Sequence, residues 1–164
     1  MASLFPVATM KDLELVFVER ILELDGSVFD QGRTKGRWKE AKKALVVEGE
    51  AHARGHLAFN VFAESGRNTG RARGRGEESV RTIADVVVLF MYHLRPGSQL
   101  ADAREASLAA RDVVATLLRL PETVANVDVV NSWRPSVVAG GEWLLVRIDL
   151  TAAFDLSLLP RSSA

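Results

Sequence analysis

The sequence predicts an α+β domain: a four-stranded, mainly antiparallel sheet built from two long hairpins, with helices packed on one face. Three observations predict it. Residues 142–156 alternate between apolar and polar side chains. Residues 80–93 form a long run rich in β-branched and aromatic residues. Two other stretches, near 9–24 and 98–119, repeat their apolar residues at helical spacing.

The first element is a helix. Thr9 is placed to cap it, and Leu13, Val16, Phe17, Ile21 and Leu24 form one apolar stripe. Asp12 and Glu14 fall in its first turn, where carboxylates suit the helix dipole. Gly26 is the expected stop. Residues 27–56 are ambiguous. Trp38–Glu48 fits a short helix with Trp38, Ala41 and Leu45 on one side, while Ala44–Val47 fits the start of a strand equally well. Leu57–Glu64 reads as a strand. The glycine- and arginine-rich GRNTGRARGRG that follows, residues 66–76, has no apolar anchor and predicts a flexible basic loop over 65–79.

Val80–His93 is the next strand. Val80, Thr82, Ala84, Val86, Val88, Phe90 and Tyr92 share one face. The other face starts polar with Arg81 and Asp85 and turns apolar at Val87, Leu89 and Met91, so this half needs cover on both sides. A helix is expected on one side and a neighbouring subunit on the other, which makes Val87, Leu89 and Met91 a candidate subunit interface. Arg95-Pro96-Gly97 is a turn and Ser98 a candidate cap. The helix after it carries Leu100, Ala103, Ser107, Ala110, Val114, Leu117 and Leu118 as its predicted stripe, and Pro121 marks its exit. Val124–Arg134 is a strand expected to end at Pro135, and Gly140-Gly141 is a turn. In the final strand Leu144, Val146, Ile148, Leu150, Ala152, Phe154 and Leu156 face the core. Residues 1–164 are expected to form one domain, with 158–164 a frayed tail.

Composition narrows the function classes. With 48% hydrophobic and 26% charged residues, the 164-residue chain is of ordinary globular character. It has no cysteine, so neither a disulfide framework nor a thiolate metal site is available. The opening MASLFPVATMKD lacks the basic and apolar regions of a signal peptide, and no apolar run reaches the length of a membrane span. A protein made in the cytoplasm, without membrane contact, is expected. Net charge is zero but unevenly placed. Residues 31–75 hold eleven Lys and Arg against four Glu, a net of +7 that the rest of the chain offsets. The first 30 residues carry Asp12, Glu14, Glu19, Glu23, Asp25 and Asp30 against Lys11 and Arg20. Such asymmetry suits docking between copies or onto an acidic partner, or it is simply a solvated surface.

No catalytic, cofactor or metal site is legible. His52 and His56 have i,i+4 spacing, but Gly55 lies between them and no HExxH accompanies them. His93 reads as structural. There is no G-x-S-x-G elbow, no phosphate loop and no dinucleotide-binding glycine pattern. Glu77, Glu78, Asp149 and Asp155 read as solvent-facing. A non-enzyme is therefore expected. The most informative local feature is Arg67, Arg71, Arg73 and Arg75. Arginine forks pair with phosphate, but the loop has no interleaved aromatics for base stacking. Contact with DNA, docking on an acidic protein patch and a solubilising hairpin tip all fit.

Three stretches in order resemble the tail terminator proteins of long-tailed bacteriophages. They are HLAFNVFAESGRNTGRARGRG, then VRTIADVVVLFMYHLRPGSQLADAREASLAARDVVATLLR, then VVNSWRPSVVAGGEWLLVRIDLTAAFDLSL, covering about residues 56–157. The likeness is one of element order and character, without a signature motif. It implies a ring, typically of six copies, that caps the tail tube, ends its growth and offers the surface joined by the head–tail connector, with DNA passing through. It implies no catalytic residue and no cofactor. The alternatives are a small nucleic-acid-binding module using the arginine loop, or another connector protein of the neck.

Overall fold

A strand that is apolar on both faces belongs in the middle of a sheet, with a neighbour on each edge. The computed structural model, which describes residues 7–24, 37–47, 50–51, 55–71, 79–138 and 141–158, places Ser79–His93 there. In chain order the elements are α1 (Met10–Leu22), β1 (Lys39–Glu40), β2 (Val46–Val47), β3 (Glu50–Ala51), β4 (Ala58–Arg71), β5 (Ser79–His93), α2 (Gln99–Leu118), β6 (Asn126–Val137) and β7 (Trp143–Ser157). The strand order is β1-β4-β5-β7-β6. The four long strands pair antiparallel, as two hairpins joined through β5 and β7. The architecture is α+β, and the sheet is mixed because β1 adds a short parallel pairing at Ala58 and Phe59. β2 and β3 form a separate two-stranded piece. Two-residue strands carry too little periodicity to be read from sequence, which is why the expected four-stranded sheet misses β1.

Both helices lie on one face. α1 packs on β4, and α2 on β5, β6 and β7. The core between them and the sheet contains Phe17 and Ile21 of α1, Ala110, Val113 and Leu117 of α2, and Val88, Phe90, Ile148 and Leu150 of the central strands. The predicted alternation of β7 holds, with Leu144 through Phe154 buried at every second position and Leu156 partly buried. α1 starts where Thr9 predicts it. The Thr9 hydroxyl accepts from the Asp12 N–H at 3.1 Å, and the Asp12 carboxylate accepts from the Ala8 N–H at 3.2 Å, a reciprocal cap. Glu14 accepts from the Ala63 N–H at 2.8 Å, at an irregularity in the β4–β5 ladder. The helix thus satisfies a main-chain donor beside a break in the strand pairing.

Several expectations are corrected. Of the basic loop expected over 65–79, residues 65–71 continue β4 and pair as far as Arg71 opposite Val80, and Ser79 begins β5; residues 72–78 lie outside the described residues. Cross-strand pairing with the strongly β-forming 79–86 holds this glycine-rich stretch extended where its own composition does not. The helix option for 38–48 is not realised. β6 runs through Pro135 to Val137, because it is an edge strand where a missing N–H leaves no ladder partner unpaired.

The buried face of α2 is Asp102, Ala106, Ala110, Val113, Val114 and Leu117, while Leu100, Ser107 and Leu118 point outward. The reason is Asp102, fully buried, which accepts from the Arg95 main-chain N–H and from its guanidinium, each at 2.7 Å. A charged residue facing inward rotates the helix away from its apparent stripe. Ser98 stands at the N-cap position, but its hydroxyl makes no capping bond. Gly26 lies outside the described residues, as do 159–164 of the expected tail; Leu158 is exposed.

Candidate functional site

Arg71 pairs with Val80 of the helix-side set, while Arg67, Val87, Leu89 and Met91 lie on the face of the sheet away from the helices. That face divides into a polar half and an apolar half.

The polar half is a ladder of opposite charges. Arg81 of β5 and its register partner Asp155 of β7 meet at 3.2 Å. Asp85 takes a hydrogen bond from the Ser65 hydroxyl at 2.9 Å and faces Arg67 at 3.7 Å. Arg147 reaches Asp149 at 2.9 Å and Glu64, on the far side of β5, at 3.8 Å. The Asp149 hydrogen bond raises the Arg147 guanidinium above its ordinary value, opposed by partial burial and aided by the Asp149 and Glu64 charges. These pairs are half-exposed, so each stabilises the fold little. Their effect is to balance charge across the face. Alternation along each strand brings these residues to one side, and antiparallel register sets them opposite each other.

The arginines singled out by sequence are only partly gathered. Arg67 belongs to this ladder, in β4 opposite Ile83. Arg71 closes β4, and Arg73 and Arg75 lie outside the described residues. Of the carboxylates, Asp149 and Asp155 are engaged by arginines, and Glu77 and Glu78 lie outside the described residues.

The apolar half corrects the proposed subunit interface. Val87, Leu89 and Met91 are 3%, 8% and 0% exposed, so they are buried within one chain. Leu45 covers them, with Ala41, Val46, Val138, Trp143 and Leu145 packed around. Sequence reasoning missed this cover because Trp38, Ala41 and Leu45 fit a helical stripe that residues 38–47 do not form. It also missed Asn60, the polar residue inside the apolar run LAFNVFA. Its Oδ1 accepts from the Leu45 N–H at 2.7 Å, and its Nδ2 donates to the Lys43 carbonyl at 3.4 Å. A lone amide within an otherwise apolar run is the signal that would have found it.

The histidines do main-chain work. His56 Nδ1 accepts from the His93 N–H at 3.2 Å, and its ring meets Tyr92 edge-on at 4.6 Å. His93 packs against Trp143, and His52 lies outside the described residues. Among the described residues, no three His, Cys, Asp or Glu side chains are grouped to hold a metal ion. Among them, too, no helix is long and apolar enough to cross a membrane. No family model matches the chain, and no curated protein matches it.

Proposed function

We propose that this chain is a non-catalytic assembly protein of a long-tailed phage virion, a tail terminator. In this reading copies form a ring, hexameric by the family resemblance, that caps the tail tube, ends its elongation and joins the tail to the head–tail connector. The partners are other copies of the chain, the tail tube protein and the connector, with non-specific contact to passing DNA. The site of action is the neck of the virion. The observation that supports it best is the arrangement of two long hairpins, β4–β5 and β6–β7, on either side of α2 in the chain. They form one sheet with both helices on one face, in the element order that the resemblance implies. The charge-balanced ladder of the front face adds a surface suited to polar contacts between proteins.

The competing reading, a nucleic-acid-binding module, is weaker. Arg67 and Arg81 each face a carboxylate of the same sheet, so the described part of the basic hairpin presents a balanced surface to phosphate.

Electron microscopy of the protein mixed with tail tubes assembled without a terminator tests the proposal. A single ring at one tube end, with tube length then constant, is the expected result. No association with tube ends would remove the assembly reading, and salt-dependent DNA binding would be measured next. Replacing Arg71, Arg73 and Arg75 together by serine then isolates the hairpin tip: unchanged ring formation, tail joining and DNA ejection would take it out of the mechanism.

A further inference from the structure

The two edges of the sheet are finished differently. At one, α1 packs on β4, and Glu14 accepts from the Ala63 N–H. At the other, β6 pairs with β7 alone among the described residues. β6 exposes Val129, Val130 and Val137, the last two by 53% and 66%. An open, valine-rich edge invites a further strand. β6 is poorly made for one, because its ladder shifts register on either side of Asn131 and Pro135 has no N–H to give. An edge that resists strands and is still apolar is one for a helix to cover.

The chain carries a helix that fits. α1 buries Leu13, Phe17 and Ile21 and turns Lys11, Leu15 and Leu22 outward, with Glu19 partly exposed between them. These outward residues recur at helical spacing and line one face. Along β6 the exposed order includes Asp128, Val130, Arg134 and Val137. One stripe reads cation, leucine, carboxylate, leucine, and the other reads carboxylate, valine, cation, valine. The charge spacings agree. Asp128 pairs with Thr151 and Arg134 with Arg147, four positions along β7, which is roughly 13 Å at 3.3 Å per residue. Lys11 and Glu19 are eight residues apart on α1, which is roughly 12 Å at 1.5 Å per residue. Among the described residues, Lys11, Glu19, Asp128 and Arg134 form no ion pair, whereas Arg67, Arg81 and Arg147 of the front ladder each face a carboxylate. α1 belongs to the β4 side of the sheet and β6 is the opposite edge, so the two stripes of one chain lie apart.

We infer that the outward stripe of α1 docks along β6 of a second copy, with Lys11 against Asp128, Glu19 against Arg134, and Leu15 and Leu22 on the exposed valines. Charge complementarity at matched spacing is what selects a second copy as the occupant. Each copy then offers α1 to one neighbour and β6 to another, a head-to-tail contact that propagates until it closes. Closure into a ring rests on the assembly reading above.

The test is sedimentation velocity of the full chain at low ionic strength, where charge pairs are least screened. Wild type is expected to form species larger than a dimer. Arg134→Glu and Glu19→Lys each set like charges across the contact, and each chain alone is expected to associate at least ~10-fold more weakly. Their equimolar mixture is expected to recover association, because alternating copies bring opposite charges together at every junction. Lys11→Glu with Asp128→Lys is the second pair, used if a chain of the first loses the amide spectrum of folded α1 and β6. A monomeric wild type, association that stops at two copies, or association that no folded variant weakens would overturn the contact. So would a mixture as weak as its parts. No tail tube enters this measurement. Recovery in the mixture beside uncapped tubes would keep the contact and remove the terminator reading. Normal capping of tubes by the Arg134→Glu chain alone would remove the contact and keep that reading.

Discussion

The two faces of β5 are buried by different means. On the helix side, Val86, Val88, Phe90 and Tyr92 belong to a continuous core with side chains from both helices and every long strand. On the front side, Val87, Leu89 and Met91 are covered by Leu45 and a few partly buried neighbours, and the rest of the face is a charge ladder. The two sets have similar exposure but rest on different supports. The helix side depends on the whole domain. The front depends on a short segment gripped through one side-chain amide. Burial alone therefore does not tell how hard a surface is to uncover.

Mutations that sharpen this contrast can be ranked by expected cost. Phe90→Ala removes a fully buried ring beside Trp38 and should lower stability by about 3–5 kcal/mol in urea denaturation. A cost below that of Leu45→Ala would break the comparison. Asp102→Ala removes the buried acceptor of the Arg95 N–H and guanidinium, and should cost about 3 kcal/mol by the same measurement. A near-neutral result would mean that water or another group takes over the Arg95 contacts.

Leu45→Ala should cost about 2–3 kcal/mol globally. Hydrogen exchange should show lost protection at Leu45 while the amides of α2 keep theirs. Equal loss in α2 would show that the two sides of the sheet are one cooperative unit. Arg147→Ala should cost under ~1 kcal/mol, less at high salt, because the group is half-exposed and solvent screens it. The raised Arg147 value fixes the sign of its pH effect. Its contribution is present while the guanidinium is charged and is lost only as pH rises through that high value, so the cost should be flat through the neutral range. A strong dependence there would implicate another titrating group.

The long elements were legible because their period matched their burial. Leu144 through Phe154 alternate in sequence and in the sheet, and Thr9 with Asp12 marks the start of α1. The misreadings have specific causes. Residues 65–71 have loop composition, yet they form a strand because β5 offers them a partner. Pro135 looked like an end, yet it sits on an edge where no neighbour needs its N–H. The stripe expected on α2 is displaced because Arg95 satisfies the buried Asp102 inside the fold. Of the candidate site, only its members were readable. Val87, Leu89 and Met91 were identified as an apolar strip needing cover, but the cover was assigned to a second subunit instead of to Leu45. Leu45 is separated from the strip by some forty positions, and the spacing around it fits a helix and a strand equally.

By itself, then, the sequence determined the class of the domain, the existence of the four long strands and the two helices, and the face on which the residues of β5 and β7 lie. These follow from local spacing, since side chains alternate along a strand and recur every turn of a helix. Only the tertiary structure decided which edge each strand occupies, how α2 is rotated, and what lies over the front of β5. Those depend on hydrogen bonds and contacts between residues far apart in the chain, such as Asn60 with Leu45 and Glu14 with Ala63. Pairings of that kind are set by how the whole chain packs, and no local pattern encodes them.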